Sequence, residues 1–215
     1  MLTVWGRRSA FNVQKVLWLA DELGVDYCHV DAGGAAGGLD DTHFLAMNPH
    51  GRIPVIDDDG TVVWESHAIL RYLAAQYGAG SFWSDDPATR SLGDRWMDWA
   101  QTRLQPDFLV GVFWAFYRTP EADRDMEKVT AKIASCSRHM SLLDTVLAES
   151  GFVAGETMTL ADIAVGTHLY RYFNIDIERP DVPRLAAYYD RIAGRPAYRK
   201  NVMLPFGDLY GRTGY

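Results

Sequence analysis

Residues 48–56, Asn-Pro-His-Gly-Arg-Ile-Pro-Val-Ile, place a proline directly before an apolar run. A central strand would use the backbone N–H that Pro54 lacks, so proline is unusual at this point. Three interpretations are open: an edge strand, a cis bond between Ile53 and Pro54, or an ordinary passage from loop to strand. A cis bond would turn the backbone of Ile53 outward, where an extended peptide can pair with it by strand addition.

The residues around this segment predict a small α/β unit. Short apolar runs alternate with amphipathic stretches that stop at glycine. The predicted elements are, in chain order, a strand at 2–5, a helix at 12–23, a strand at 25–30, a helical turn at 42–46, a hairpin with strands at 53–56 and 61–64 around a turn at 57–60, and a helix at 66–77. This order predicts a mixed sheet with an antiparallel edge.

The second part of the chain predicts only helices. Gly, Ser, Asp and Pro are concentrated at 78–87, which is typical of a domain boundary. The helical patterns that follow cover 88–105, 107–117, 121–149, 159–173, 183–193 and a short stretch from 195. We therefore expect two domains, an α/β domain at 1–80 and an all-helical domain at 87–215.

Composition excludes several classes of protein and partner. The 215 residues are 48% hydrophobic and 23% charged, with a net charge of −7, which excludes a disordered chain, a collagen and a coiled-coil rod. The acidic balance argues against nucleic acid and anionic membranes as partners, and no apolar run is long enough for a membrane span. Because the two cysteines and six histidines form no ligand pattern and no signal peptide is present, we expect no metal and a cytoplasmic protein.

Ser9 and Asn12 lie at the predicted start of the first helix. A helix N-terminus exposes unpaired N–H groups and a partial positive charge, which favour a bound anion such as a thiolate. Either side chain would donate a hydrogen bond to such a sulfur, and a donor there lowers the pKa of a thiol. The alternative is that one of the two simply caps the helix.

Glu65 and Ser66 precede a helix in a similar way. Ser66 is a good N-cap, and its hydroxyl and N–H would hold a ligand carboxylate while Glu65 meets a ligand amine. The alternative is a capped helix beside a solvated glutamate. Further along, Thr159 and Asp162 have the spacing of a capping box, for which we predict a structural role.

In this order, the motifs resemble those of the cytosolic glutathione transferases over the whole chain. They are Ser9 and Asn12, the Asn-Pro-x-Gly-x-Ile-Pro pattern at 48–54, Glu65-Ser66, and Thr159-Leu160-Ala161-Asp162. The resemblance implies the glutathione transferase fold, with a thioredoxin-like N-terminal α/β domain and an all-α C-terminal helical bundle, and it implies a homodimer. The segment 6–15 resembles a bacterial or fungal subgroup with asparagine as the thiolate donor, and the whole set implies a bacterial, theta- or nu-like member of the serine or asparagine type.

The resemblance also implies positions for glutathione. Ile53 would pair its backbone with the cysteinyl part, Pro54 would be the cis proline, Glu65 and Ser66 would hold the γ-glutamyl end, and His50 and Arg52 would lie in the loop that touches the glycyl carboxylate. Ser9 stands where serine-type members place the donor to the thiolate, and we favour it slightly over Asn12. Cysteine-type members carry a cysteine there, whereas Cys28 and Cys136 are both expected to be buried, which argues against glutaredoxin-like disulfide chemistry.

The function implied is a detoxifying glutathione S-transferase. It would activate the glutathione thiol as a thiolate that attacks a hydrophobic electrophile, with glutathione as co-substrate and without a metal. The candidates for the electrophile pocket are Phe108, Phe113, Trp114 and Tyr117, with the tail around Phe206 and Tyr210 as a lid. The alternatives are a glutathione-dependent peroxidase, dehalogenase or isomerase on the same site, or a non-enzymatic glutathione-binding protein.

Overall fold

The computed structural model describes residues 1–214, which form two compact units. Met1–Asp85 and Pro196–Leu204 form the first, here called the sheet unit; Asp86–Arg195 and the chain from Pro205 form the second, here called the helical unit. The segment 196–204, which the predicted second domain included, joins the sheet unit because of two contacts. Tyr198 packs edge-on against Trp18 at 4.7 Å between ring centres, and Asn201 donates to the Leu17 carbonyl at 3.3 Å.

The sheet unit contains the predicted mixed sheet. Its elements are β1 (Leu2–Trp5), α1 (Phe11–Glu22), β2 (Tyr27–Val30), α2 (Thr42–Met47), β3 (Val55–Asp58), β4 (Thr61–Trp64) and α3 (Ser66–Tyr77), to which α8 (Pro196–Asn201) is added from the end of the chain. The strand order is β2-β1-β3-β4. β1 pairs parallel with β2, while β3 pairs antiparallel with both β1 and β4.

The hairpin is tighter than the sequence pattern predicted. The expected turn at 57–60 is reduced to Asp59 and Gly60, because β3 extends to Asp58, which pairs with Thr61. Both turn residues have positive φ, 48° for Asp59 and 94° for Gly60. A two-residue turn of this kind matches the twist of the strands it joins, and Asp-Gly is a favoured sequence for it.

Helix α1 is buried around much of its circumference. Every residue from Val13 to Ala20 is buried, including the polar Gln14 and Lys15. Residues of α3 and α8 approach α1, and the side chain of Gln14 lies near the Val202 carbonyl. Because neighbours surround the helix, its apolar periodicity predicts fewer buried positions than the structure contains.

The helical unit consists of four α-helices and two π-helical segments within the described residues. They are α4 (Pro87–Trp99), the π-helical segments Ala100–Leu104 and Pro106–Arg118, α5 (Met126–Val146), α6 (Leu160–Asn174) and α7 (Pro183–Ala193). The predicted separation between 88–105 and 107–117 is absent, since Gln105 has helical dihedral angles. Pro106 donates no N–H to the ladder, and the turns on both sides of it are wider than α-helical turns.

Two helix starts in this unit show how local side chains set the boundaries. α5 begins at Met126 rather than near 121, because the carboxylate of Asp125 accepts from the Lys128 N–H at 3.1 Å. The capping box predicted at Thr159 and Asp162 is confirmed, with the side chain of each residue bonded to the backbone of this turn. Within residues 1–214, no helix combines the length and apolarity that a membrane crossing needs.

Candidate functional site

The junction of β1 and α1 lies beside Ile53. Gly6 has a φ of 140°, and a Cβ there would be 2.5 Å from Val13 Cγ2 and 3.1 Å from Ile53 Cβ. Only glycine fits this approach without displacing a neighbour. The fold therefore brings the Ser9–Asn12 segment close to the loop that ends at Pro54.

Neither Ser9 nor Asn12 caps helix α1. The N-cap is Ala10, whose side chain makes no capping hydrogen bond, so neither residue occupies the cap position that the capping interpretation gave it. Ser9 is exposed. Asn12 is half-buried, and its Oδ1 has no hydrogen-bond partner among the described residues. An amide with a buried, unpaired oxygen is costly in a helix, and such groups are concentrated where a ligand or water supplies the missing bond.

The bond between Ile53 and Pro54 is cis. Pro54 lies just before β3, and β3 is an internal strand between β1 and β4. The cis interpretation is therefore confirmed, and the edge-strand interpretation is wrong. Ile53 is half-buried and packs against the small apolar cluster of Ala32, Phe44 and Val55.

Asn48 organises the loop that leads to this bond, a role that the sequence analysis did not assign. Its side chain is buried, with Nδ2 donating to the Arg52 carbonyl at 2.8 Å and Oδ1 accepting from the His50 N–H at 3.0 Å. The side chains of His50 and Arg52 are both exposed, and the His50 ring lies edge-on against Trp64 at 5.2 Å. An asparagine two residues before the backbone group it binds is a common turn signal, which the sequence contained.

Glu65, rather than Ser66, is the N-cap of α3, so the prediction of Ser66 as N-cap is wrong. Glu65 has a φ of 69°, which is uncommon for a residue with a side chain, and that side chain is exposed and caps no N–H. Ser66 is the first helical residue, 2% exposed, and its Oγ has no hydrogen-bond partner within residues 1–214. Strained backbone and an unsatisfied hydroxyl in adjacent residues are features of binding sites.

Lys15 lies beneath this turn and was not identified from the sequence. Its side chain has no exposed surface, and Nζ lies 3.2 Å from Nε2 of His67, the residue after Ser66. Burial lowers the pKa of Lys15 to about 7, although the negative charge of Glu65 acts to raise it. No sequence signal marks this lysine, because nothing local distinguishes it from a solvated one.

The four aromatic candidates of the helical unit lie in different surroundings. Phe108 is fully buried, with edge-on ring contacts to His168 and Tyr172. Phe113 is also buried and stacks on the half-buried Tyr117 at 5.2 Å. Trp114 is half-buried, and the four positions are therefore not equally accessible.

The tail of the chain packs on the same aromatic segment. Phe206 is edge-on to Phe113 and Tyr117 at 5.6 and 5.3 Å, and the exposed Tyr210 is edge-on to Tyr117 at 5.3 Å. The buried Arg118 donates from Nε to the Arg212 carbonyl at 2.9 Å. The tail is thus bonded in place beside the aromatic side chains.

The two cysteines differ in exposure. Cys28 lies on the edge strand β2 and is exposed, so the prediction that it is buried is wrong, whereas Cys136 is buried as predicted. Burial raises the pKa of the Cys136 thiol to about 12. Among residues 1–214, no three His, Cys, Asp or Glu side chains are gathered as metal ligands.

Comparison with known proteins identifies the family. Residues 1–75 match the family model for the glutathione S-transferase N-terminal domain and residues 126–191 that for the C-terminal domain. The chain is 40% identical to glutathione S-transferase GstB of Escherichia coli K12, over 95% of this chain and 99% of that protein.

Solved structures agree with this assignment. A theta-class glutathione S-transferase from Xanthomonas axonopodis pv. citri, with glutathione bound, is 42% identical with a TM-score of 0.89, covering 95% of this chain and 98% of that one. A delta-class glutathione transferase of Nilaparvata lugens is 25% identical with a TM-score of 0.84, covering 97% of this chain and 98% of the other. Both the fold and the family predicted from the sequence are therefore confirmed, and the chain belongs to the glutathione S-transferase family of enzymes.

Proposed function

We propose that this glutathione S-transferase binds glutathione on the sheet unit and holds its thiol as a thiolate that attacks an apolar electrophile. The observation that carries the proposal is the start of α3, where the buried hydroxyl of Ser66 has no partner within residues 1–214 and Glu65 is exposed with a positive φ. The 42% identical structure with glutathione bound supports the same ligand for this chain.

The γ-glutamyl end of glutathione carries an ammonium and a carboxylate on one carbon atom. The carboxylate would accept from the Ser66 hydroxyl and from the N–H groups at the start of α3, where the helix dipole favours an anion. The ammonium would pair with the exposed Glu65. Both ends of this zwitterion are then satisfied by adjacent residues.

The remainder of the tripeptide would follow the loop that ends at the cis bond. The backbone of Ile53 would pair with the cysteinyl residue as an added strand, with Pro54 fixing the direction of that backbone. His50 and Arg52, both exposed on the loop that Asn48 holds, would contact the glycyl carboxylate.

Thiolate formation would depend on Ser9 and Asn12. A hydroxyl or amide N–H that donates to sulfur favours the ionised form of the thiol, and the start of α1 adds partial positive charge. The thiol proton leaves to solvent. The sulfur lone pair then forms the new S–C bond while the leaving group departs with the electrons of the bond that breaks.

The electrophile would take its apolar contacts from the helical unit. Trp114 and Tyr117 are the half-buried aromatic side chains of the predicted set, and Phe113 supports Tyr117 by stacking. Phe108 would contribute indirectly, since His168 and Tyr172 contact its ring. Phe206 and Tyr210 would cover the site from the tail.

The test is to replace the thiolate donors singly and together. Ser9→Ala, Asn12→Ala and the double variant are compared for two signals: the ultraviolet absorbance of bound thiolate, and turnover of a chlorodinitrobenzene-type electrophile. Ser91→Ala, which removes an exposed hydroxyl of α4, is the matched control. We expect the double variant to lose both signals, and full turnover by that variant would show that the donors are elsewhere.

Three further statements are proposals drawn from the family. We propose a homodimer, which light scattering of the purified protein tests, and a detoxifying role in the cytoplasm, which localisation and loss-of-gene sensitivity to electrophiles test.

A panel of peroxides, haloalkanes and isomerisable substrates would separate transferase activity from the alternatives. Titration calorimetry with glutathione would identify a non-enzymatic binder by weak or absent heat.

A further inference from the structure

Lys15 is the one lysine of α1, and its ammonium is enclosed by the sheet unit. The side chain has no exposed surface. Nζ lies 3.2 Å from Nε2 of His67 and 5.0 Å from the centre of the Phe11 ring. An ammonium in such surroundings loses its hydration, which is costly unless neighbouring groups compensate for it. Within the described contacts, the His67 imidazole and the negative charge of Glu65 contribute to this compensation.

The charged neighbours come from the start of α3. Glu65 is the N-cap of α3, and His67 lies in its first turn. At the other end of α1, Lys200 of α8 is bonded to Asp21 at 2.8 Å. Desolvation holds the pKa of Lys15 near 7, and the charge of Glu65 favours protonation. The amine therefore titrates near neutral pH, where a nearby charge shifts its protonation.

The ligand group that we place at this turn needs a negative protein charge for its ammonium and a positive protein charge for its carboxylate. The amino-acid head of glutathione is a zwitterion, and Glu65 supplies the negative charge that its ammonium requires. Ser66 supplies a neutral hydroxyl to the carboxylate. Lys15, which contacts the residue directly after Ser66, supplies the formal positive charge from beneath the same turn.

We propose that Lys15 is a positioning residue of the γ-glutamyl subsite: its ammonium is the countercharge for the ligand α-carboxylate, so that occupation of the subsite takes up a proton. This inference rests on the proposed function, because it assigns the γ-glutamyl end to the start of α3. It predicts that the apparent affinity for a glutathione analogue falls as pH rises above 7, by up to about tenfold per pH unit.

The experiment measures protons taken up on binding. S-methylglutathione is used because its sulfur carries no proton to release. Calorimetric titration at about pH 7, in two buffers of different ionisation enthalpy, gives the uptake, which we expect to be roughly half a proton from Lys15. The ligand amine also gains protons in every variant, so the decisive quantity is the difference between variants.

Two replacements of Lys15 separate the effect of its positive charge from the effect of its proton uptake. Lys15→Arg keeps a permanent positive charge, so it retains affinity within about twofold and loses the uptake assigned to Lys15. Lys15→Met keeps an unbranched chain of similar length without charge, and it loses both the uptake and at least about fivefold in affinity. Lys200→Met, which removes a lysine bonded to the far end of α1, keeps the wild-type values.

Each possible result either supports or overturns the role that we propose for Lys15. Equal uptake by the wild type and Lys15→Arg would assign the proton to His67 or to the ligand and would overturn the inference. Unchanged affinity of a folded Lys15→Met would also overturn it. If Lys15→Met fails to fold by circular dichroism, the arginine comparison decides alone. Failure of S-methylglutathione to bind the wild type at all would overturn the proposed function instead.

Discussion

The most demanding prediction about stability concerns the replacement of Asp162. It is fully buried in the first turn of α6, and its carboxylate is shared by four donor groups. Oδ1 accepts from the Val153 N–H at 2.9 Å and from the Tyr188 hydroxyl at 2.8 Å, and Oδ2 accepts from the Thr159 N–H at 2.7 Å and from the Thr159 hydroxyl at 3.3 Å. The side chain therefore joins the preceding loop, the N-cap and α7.

Replacement of Asp162 by alanine would remove the acceptor that these four donors share. Each buried donor left unsatisfied costs about 1–3 kcal/mol, and partial relaxation brings the expected total to about 3–5 kcal/mol of unfolding free energy. Asparagine keeps one acceptor oxygen, so it serves the two donors at Oδ1 and places an amide N–H against Thr159. We expect Asp162→Asn to cost about 2 kcal/mol.

Urea unfolding followed by circular dichroism measures both losses, with the slope recorded to detect a change in the unfolded state. Thr167→Val is the matched control, because it removes a fully buried hydroxyl of α6 whose bond, among the described residues, is within its own helix, to the Ile163 carbonyl at 2.7 Å. We expect that control to lose less than about 1 kcal/mol. An alanine variant as stable as the control, or an asparagine variant as unstable as the alanine one, would refute the reasoning.

Two further predictions concern ionisation and thiol chemistry. The Tyr77 hydroxyl donates to Asp58, which raises the pKa of Tyr77 from 10.0 to about 12, so stability that is present below pH 10 should be lost as pH rises towards 12. Tyr77→Phe should flatten that part of a pH titration of the urea midpoint, and an unchanged slope would contradict the assignment. Cys28 should react with a disulfide reagent in the folded protein, while Cys136, whose thiol pKa is raised to about 12, should react only after unfolding. Stoichiometry before and after denaturant decides this, and two reactive thiols in the native protein would be the contrary result.

Local elements were largely predictable from the sequence, because short-range geometry dictates them. The capping box at Thr159 and Asp162 depends on residues three apart and was predicted correctly. The Asp59-Gly60 turn lay within the predicted four residues, and only its extent differed. The order of strands and helices likewise follows from periods of two and of 3.6 residues, which need no knowledge of neighbours.

Burial was less predictable, since it depends on what packs against each element. Cys28 belongs to a predicted strand and was expected to be buried, yet it is exposed on β2, the edge strand of the sheet. Lys15 belongs to a helix with a polar side in its pattern, yet it is buried because elements on several sides of α1 enclose it. Neither outcome follows from local spacing, because strand order and helix packing are set by contacts between residues far apart in sequence.

The linear chain by itself therefore determined the succession of elements, the division into an α/β part and a helical part, and the motifs that place it in its family. Only the tertiary structure decided that Glu65 takes the cap position, that the buried Ser66 hydroxyl has no partner among residues 1–214, and that a lysine lies beneath that turn. The physical reason is that propensity and periodicity act over a few residues. Desolvation and charge compensation, in contrast, depend on every group that the folded chain brings within a few ångströms.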